Sequence, residues 1–254
     1  MAIRKAQIFF GSNGTAAHLF YEPSNGAASD LVDAAVLDVI FPGLPHTPYF
    51  HELEKLVTAE RAVMYIHYPG SWYSSGVFTP ESCRNTVSEV VQLLQQGRVT
   101  DVYTGVEIRV SPKETVFVGN SFGGYLVYQG EHPHKRVLLA PLLVVNPEEA
   151  THPDTKKVLQ KVSSSIREYP KSIFNVYRGI SDPQWESFIN DPASEKLLSR
   201  ENAEVFVGEQ DTLITTAYVA DSLEGRSQYK LTTCPCGHDF QALYLAYVGN
   251  SDRK

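Results

Sequence analysis

The stretch Val116-Phe117-Val118-Gly119-Asn120-Ser121-Phe122-Gly123-Gly124-Tyr125-Leu126-Val127 runs from a β-branched and aromatic strand through G-x-S-x-G into an apolar helix start. A serine on so sharp a strand-to-helix turn needs glycine two residues to either side, because side chains at Gly119 and Gly123 would collide. The turn lifts the Ser121 hydroxyl clear of the sheet. It also aims the first amides of the helix, Phe122 N–H above all, at the place where negative charge develops during attack on a carbonyl. Ser121 is therefore the candidate nucleophile and Phe122 a candidate oxyanion donor. The pentapeptide alone is a moderate signal, and a plain structural turn is the competing reading, so the rest of the chain has to decide.

Downstream, Val205-Phe206-Val207-Gly208-Glu209-Gln210-Asp211 reads as a second short strand ending in a carboxylate, and Cys234-Pro235-Cys236-Gly237-His238-Asp239-Phe240 puts a histidine on a loop near the C-terminus. The chain order is Ser, Asp, His. A serine hydroxyl is a poor nucleophile at neutral pH and needs a base that can return its proton to the leaving group. His238 is the candidate base, and a carboxylate on its other ring nitrogen would fix the productive tautomer and stabilise the imidazolium. Asp211 is placed for that role. Glu209 and Asp239 are rivals, Asp239 the weaker because a residue adjacent to His238 on an extended loop points elsewhere. The plainer alternatives are a packing role for His238 and a helix N-cap role for Asp211 ahead of Thr215.

The G-x-S-x-G elbow, the G-x-x-D turn after a late strand and the G-H-x-F turn after the last one together resemble the α/β-hydrolase superfamily, in its serine esterase and lipase form. The resemblance covers the chain roughly from Val36 to the end. It implies an α/β fold, a mostly parallel central sheet of about eight strands flanked by helices, with a small helical cap insertion. It also implies that a second oxyanion donor comes from the loop Phe41-Pro42-Gly43-Leu44-Pro45. Many relatives have His-Gly followed by an aromatic residue there; here proline replaces that histidine, so its side-chain support is absent. Pro42 and Pro45 have no N–H, which leaves Gly43 and Leu44 as local donors, and Leu44 matches the family's donor position. A stiff turn without that role is the alternative. His67-Tyr68-Pro69-Gly70-Ser71-Trp72-Tyr73-Ser74-Ser75-Gly76 resembles the family's Gly-rich turn beside the active site. Trp72 and Tyr73 are thus candidates for lining an acyl or alcohol pocket, or else plain wall packing.

Elsewhere the patterning supports the same architecture. Ala6 to Phe10 and Ala17 to Tyr21, either side of Gly11-Ser12-Asn13-Gly14, read as a hairpin. Val36 to Phe41 and Ala62 to Tyr68 read as buried strands joined by a helical segment, Phe50 to Leu56, in a βαβ unit. Thr79 caps a helix with Pro80 at its first position, Val87, Val90, Val91 and Leu94 on one face, and Gly97 at its end. Val102 to Val110 alternates around Gly105 as a surface hairpin, and Arg136 to Leu143 is the strand after the elbow helix. From Asn146 to Arg200, Pro147, Pro153, Pro170, Pro183 and Pro192 divide a polar stretch into short helices with three apolar stripes. Residues 1–145 and 201–254 are therefore expected to build the core, with 146–200 as a helical cap. Insertions at this place in the α/β-hydrolases commonly cover the active site, which makes Trp185, on the third stripe, a further candidate for the substrate pocket.

Bulk properties exclude several classes. A chain of 254 residues suits one large α/β domain, and 43% hydrophobic with 20% charged residues is ordinary for a globular protein. A net charge of −7 without a basic run argues against nucleic acid or an anionic membrane as partner. The apolar patch Ile8-Phe9-Phe10 is too short for a signal-peptide core, and the longest apolar run, Val137 to Val145, is broken by Pro141. Three cysteines cannot all pair within one chain, so a reducing, cytoplasmic setting is expected. Cys234-x-Cys236-x-His238 does not read as a zinc site, because only Cys83 remains among the cysteines and metal binding would consume the base. No metal and no cofactor are expected; Cys236, close to His238, is a candidate point of oxidation sensitivity. The expected activity is cleavage of an ester, thioester or similar acyl bond of a small molecule through a covalent acyl-enzyme. Acyl transfer, peptide cleavage and C–C hydrolysis use the same three residues, and oligomeric state stays open. A non-catalytic ligand-binding protein of this fold is the rival from another class, and the intact Ser, Asp and His weigh against it.

Overall fold

The computed structural model describes residues 3–12, 14–23, 30–44, 48, 50–143, 153, 156, 157, 160, 203–224 and 229–251. Along the chain these form β1 (Arg4–Phe10), β2 (Thr15–Tyr21), β3 (Asp30–Val32), β4 (Val36–Phe41), α1 (Phe50–Glu54), β5 (Arg61–His67), α2 (Pro80–Gln96), β6 (Arg98–Thr100), β7 (Glu107–Val110) and β8 (Glu114–Asn120). There follow α3 (Phe122–Gln129), β9 (Lys135–Leu139), β10 (Ala203–Gly208), α4 (Thr216–Leu223), β11 (Tyr229–Cys234) and α5 (Phe240–Ser251). Eight strands share one sheet in the order β1-β2-β5-β4-β8-β9-β10-β11. β1–β2 and β2–β5 pair antiparallel, and every pair from β5 to β11 is parallel.

The parallel strands read as unbroken apolar runs because both their faces are covered: all seven residues of β5 are buried, as are Val116, Phe117 and Val118 of β8. From β4 the chain steps outward to β5 and then returns past β4 to β8, so the strand order reverses beside β4. At such a reversal the loops leaving the carboxyl ends of the two central strands diverge and leave a crevice. Phe41 ends β4 and Ser121 follows β8, at that same end.

The α2 helix shows how locally its ends are specified. Thr79 Oγ1 accepts from Ser82 N at 3.0 Å, while Thr79 N donates to Ser82 Oγ at 3.0 Å, closing a capping box. Gly97 ends the helix at φ 65, a left-handed conformation open to glycine at little cost. Cys83, Thr86, Val87, Val90 and Leu93 form the buried face. The stripe is thus turned slightly from the expected one, with Val91 and Leu94 only partly buried against the core.

Three further differences from the sequence reading have physical causes. The surface hairpin is displaced: its strands are β6 and β7, and Val102 to Val106 is consumed by the connection. Asp101 organises that connection, its carboxylate accepting from Gln7 N at 3.0 Å, Thr104 N at 3.2 Å and Thr104 Oγ1 at 2.6 Å. β3 then pairs parallel with β7, making a three-stranded sheet that so short a strand does not announce. β9 stops at Leu139 rather than Leu143, because Ala140 turns to φ 41 and Pro141 has no N–H for the ladder. The expected cap, residues 146–200, lies outside the described residues apart from positions 153, 156, 157 and 160. β9 and β10, on either side of it in the chain, are neighbours in the sheet.

One buried charge ties the sheet to the C-terminal helix. Asp38 of β4 accepts hydrogen bonds from Arg61 of β5 and from Tyr244 and Tyr247 of α5, the last at 3.0 Å. Burial raises the Asp38 carboxyl above the usual carboxylate range, and the guanidinium and the two phenols oppose that rise. Removing Arg61 alone would leave an uncompensated buried charge, at a cost of about 3–5 kcal/mol. Among the described residues no helix is long and apolar enough to cross a membrane.

Candidate active site

Ser121 sits between β8 and α3 at φ 49 and ψ −113, a conformation costing roughly 1–3 kcal/mol for a residue with a side chain. Close packing enforces it. A Cβ on Gly123 would lie 1.9 Å from the Phe41 carbonyl oxygen, and one on Gly119 would lie 2.5 Å from the Gly123 oxygen. Strand, helix and the end of β4 therefore meet at backbone distance, which is the steric demand read from G-x-S-x-G. Ser121 N donates to Leu139 O at 3.0 Å, and Leu142 N donates to Ser121 O at 2.9 Å. The Ser121 hydroxyl makes no helix-cap bond.

His238 and Asp211 are brought together. Asp211 Oδ2 lies 2.7 Å from His238 Nδ1, so the carboxylate accepts and Nδ1 carries the proton. Asp211 is buried, and its other oxygen accepts from the Leu213 and Ile214 amides, each at 2.8 Å. The carboxylate is thus aimed from behind by backbone. The rivals are engaged elsewhere: Glu209 accepts from Thr233 Oγ1 at 3.1 Å, and Asp239 Oδ1 from Ala242 N at 3.1 Å at the start of α5. Thr215, not Asp211, caps α4, accepting from Tyr218 N at 3.1 Å.

A histidine after edge strand β11 reaches inward because its loop crosses the end of β10. Gln210 N donates to Cys236 O at 2.9 Å, and a Cβ on Gly208 would lie 2.3 Å from the Gly237 oxygen. Any side chain at Gly208 would push the His238 loop away. Ser121, Asp211 and His238 all follow carboxyl ends of parallel strands and so stand at one end of the sheet. Among the described residues no hydrogen bond joins Ser121 Oγ to His238, so one link of the expected relay is formed and the other is open.

Phe122 opens α3 and is buried, and Leu44 lies in the loop that leaves β4 beside Ser121. That loop runs against the elbow: a Cβ on Gly43 would lie 3.0 Å from Ser121 Cβ. Sequence reasoning missed its support, the Tyr68 hydroxyl, which donates to Pro42 O at 2.7 Å. The clue was present as a tyrosine immediately after the mostly apolar β5. Trp72 takes φ 45 in the turn after β5. Tyr73, 43% exposed, lays its ring edge on His18 and His67, with centroids 4.9 and 5.2 Å away. Those two histidines, also unforeseen as a pair, share a hydrogen bond of 2.8 Å between His18 Nδ1 and His67 Nε2. Burial, helped by Lys5, lowers His18 to about 4, so His18 is neutral near pH 7. Trp185 lies outside the described residues.

A cleft of about 500 Å³ opens beside His238, walled by Leu53, Leu56, Tyr65 and Phe240, with Glu52, Asp239 and Gln241 on its polar side. Ser121 does not line it. Cys234 and Cys236 both carry thiols pushed up by burial, and Asp239, Asp211 and Glu209 add to the effect at Cys236. That favours the thiol over the reactive thiolate and weighs against an oxidation-sensitive Cys236.

No family model matches the sequence, and no curated protein matches it either. Solved structures do match over nearly the whole length. The α/β hydrolase GrgF from Penicillium sp. sh18 superposes with a TM-score of 0.64 at 12% identity, covering 100% of this chain and 97% of its own. DcsB, in complex with its substrate analogue, gives 0.63 at 10% identity over 98% and 97%. The esterase EaEST from Exiguobacterium antarcticum gives 0.55 at 14% identity over 97% and 100%. Sheet order, elbow and these likenesses agree: the chain has the α/β-hydrolase fold.

Proposed function

We propose that the protein is a serine hydrolase that cleaves an ester, thioester or similar acyl bond of a small molecule. Ser121 Oγ attacks the carbonyl carbon as its proton passes to His238 Nε2, and Asp211 holds the imidazolium through Nδ1–H. The Phe122 and Leu44 amides receive the developing oxyanion. His238 then protonates the leaving group, and the acyl-enzyme is released by a water whose proton His238 takes. The observation that carries this reading is the His238–Asp211 hydrogen bond of 2.7 Å at the same sheet end as the strained Ser121 elbow. A serine held at φ 49 and an imidazole oriented by a backbone-aimed carboxylate have a common purpose in acyl transfer.

Substrate contacts are proposed at Trp72, Tyr73 and Trp185, with residues 146–200 as the cap over the site and no cofactor in the reaction. The apolar wall of the cleft beside His238 suits an uncharged acyl or alkyl group, since Glu52 and Asp239 on its polar side repel carboxylates. The test is mass spectrometry after fluorophosphonate treatment, followed by a chain-length series of nitrophenyl esters. Modification at Ser121 and a kcat/KM that rises with chain length are expected. An unlabelled chain without esterase activity overturns the reading in favour of a non-catalytic binding protein.

A further inference from the structure

We infer that Tyr68 is the positioning residue of the oxyanion site and supplies, from the position just after β5, the side-chain support that Pro42 cannot give. The inference rests on the hydrolase reading above. Tyr68 is fully buried, and a buried phenol is costly unless its hydroxyl is bonded. Its hydroxyl donates to the Pro42 carbonyl at 2.7 Å. That carbonyl belongs to the peptide unit whose other end is the Gly43 amide, and the unit is planar. Fixing the direction of the oxygen therefore fixes the plane from which the chain continues into Gly43 and Leu44. Gly43 in turn lies against Ser121.

The same ring touches the other donor. Tyr68 meets Phe122 edge-on, with centroids 5.7 Å apart at 86°, and Phe122 carries the first amide of α3. One side chain thus braces both amides proposed for the oxyanion. It is itself held from behind. Ser71 N and Ser71 Oγ both donate to Tyr68 O, at 2.9 and 2.8 Å. Ser74 Oγ donates to His67 O at 2.6 Å and accepts from Ala16 N at 2.7 Å, pinning the turn to β2. Preorganised donors need such support, because an amide that shifts during the reaction loses the advantage of being in place beforehand.

Tyr68→Phe removes the phenol oxygen and keeps the ring. Outright loss of an oxyanion donor costs about 10²–10³-fold in kcat, and a donor merely displaced should cost about 10–100-fold, with KM for a nitrophenyl ester unchanged. An arylboronic acid, whose tetrahedral adduct mimics the charged intermediate, should bind more weakly by that same factor. Phe78→Leu loosens the ring packing of Tyr68, at a centroid distance of 6.3 Å, without touching the phenol, and should leave kcat within about twofold. A Tyr68→Phe enzyme with wild-type kcat, or with a raised KM alone, overturns the inference while the hydrolase reading stands. Equal losses in Phe78→Leu assign the effect to packing and overturn it as well. A wild-type chain that neither labels nor turns over removes the hydrolase reading and this inference together. Should Tyr68→Phe fail to fold, a structure of the phosphonylated wild-type protein decides. The phosphonyl oxygen is expected within hydrogen-bond reach of Phe122 N and Leu44 N with Tyr68 still on Pro42, and an oxygen turned elsewhere overturns the assignment.

Discussion

Replacing Asp211 by asparagine removes one charge and leaves the shape of the site, and the surrounding hydrogen bonds dictate how the new amide must sit. Asp211 Oδ1 now accepts from two backbone amides at 2.8 Å, while Oδ2 faces His238 Nδ1. Turning the asparagine NH₂ toward Leu213 and Ile214 would leave two buried donors unsatisfied, at about 1–3 kcal/mol each. Turning it toward His238 requires only that the neutral ring change tautomer, which costs far less. The NH₂ therefore faces His238, Nδ1 becomes the acceptor, and the proton moves to Nε2, the nitrogen that must receive the Ser121 proton. The base is disabled with its geometry intact. The expected loss in kcat is about 10⁴-fold, some 5.5 kcal/mol of transition-state stabilisation. Loss of the charge-assisted bonds should cost only about 1–2 kcal/mol of a stability of about 5–15 kcal/mol, so the variant stays folded. Steady-state hydrolysis of a nitrophenyl ester, with circular dichroism as the folding control, measures this. A folded variant that keeps more than about a tenth of wild-type kcat refutes the tautomer argument.

Other outcomes follow from the same geometry. Ser121→Gly should abolish labelling and turnover yet raise stability by about 1 kcal/mol, since relief of the φ 49 strain exceeds the added freedom of the unfolded chain; a lower melting temperature would contradict it. Gly123→Ala should cost several kcal/mol or prevent folding, on the order of the largest single-residue effects, because its Cβ would lie 1.9 Å from the Phe41 oxygen; denaturant titration reads this directly. His18 should make the fold acid-sensitive. Its value in the folded chain, about 4 against 6.5 when unperturbed, means that the unfolded chain binds the extra proton between those limits. Neutral His18 therefore contributes fully above pH 6.5, and stability falls as the pH drops toward 4, by at most about 3 kcal/mol. A His18→Phe protein whose stability falls as steeply over that interval would place the effect elsewhere.

Much of this molecule was legible from short windows of sequence. The elbow, the strands around it and the two ends of α2 were read from residues within a turn or two of each other. Sterics at Gly119 and Gly123, the capping pair Thr79 and Ser82, and the unbroken apolar run of β5 all act over that range. The sequence favoured Asp211 over Glu209 and Asp239 but did not exclude them, since all three carboxylates are chemically competent and lie near His238 in space or sequence. In the structure the His238 loop crosses over Gly208 and His238 bonds Asp211, while Glu209 and Asp239 bond elsewhere.

The order Ser, Asp, His and the α/β architecture were properties of the linear chain, because strand periodicity, turn sterics and helix caps are interactions between near neighbours. The Tyr68–Pro42 brace, the His18–His67 pair, the Asp38–Arg61–Tyr244–Tyr247 network and the pairing of β3 with β7 came from folding. Asp38 and Tyr247, for instance, are 209 residues apart. Contacts of that reach depend on where a twisted sheet delivers each strand end, and local side-chain preferences hold no record of it.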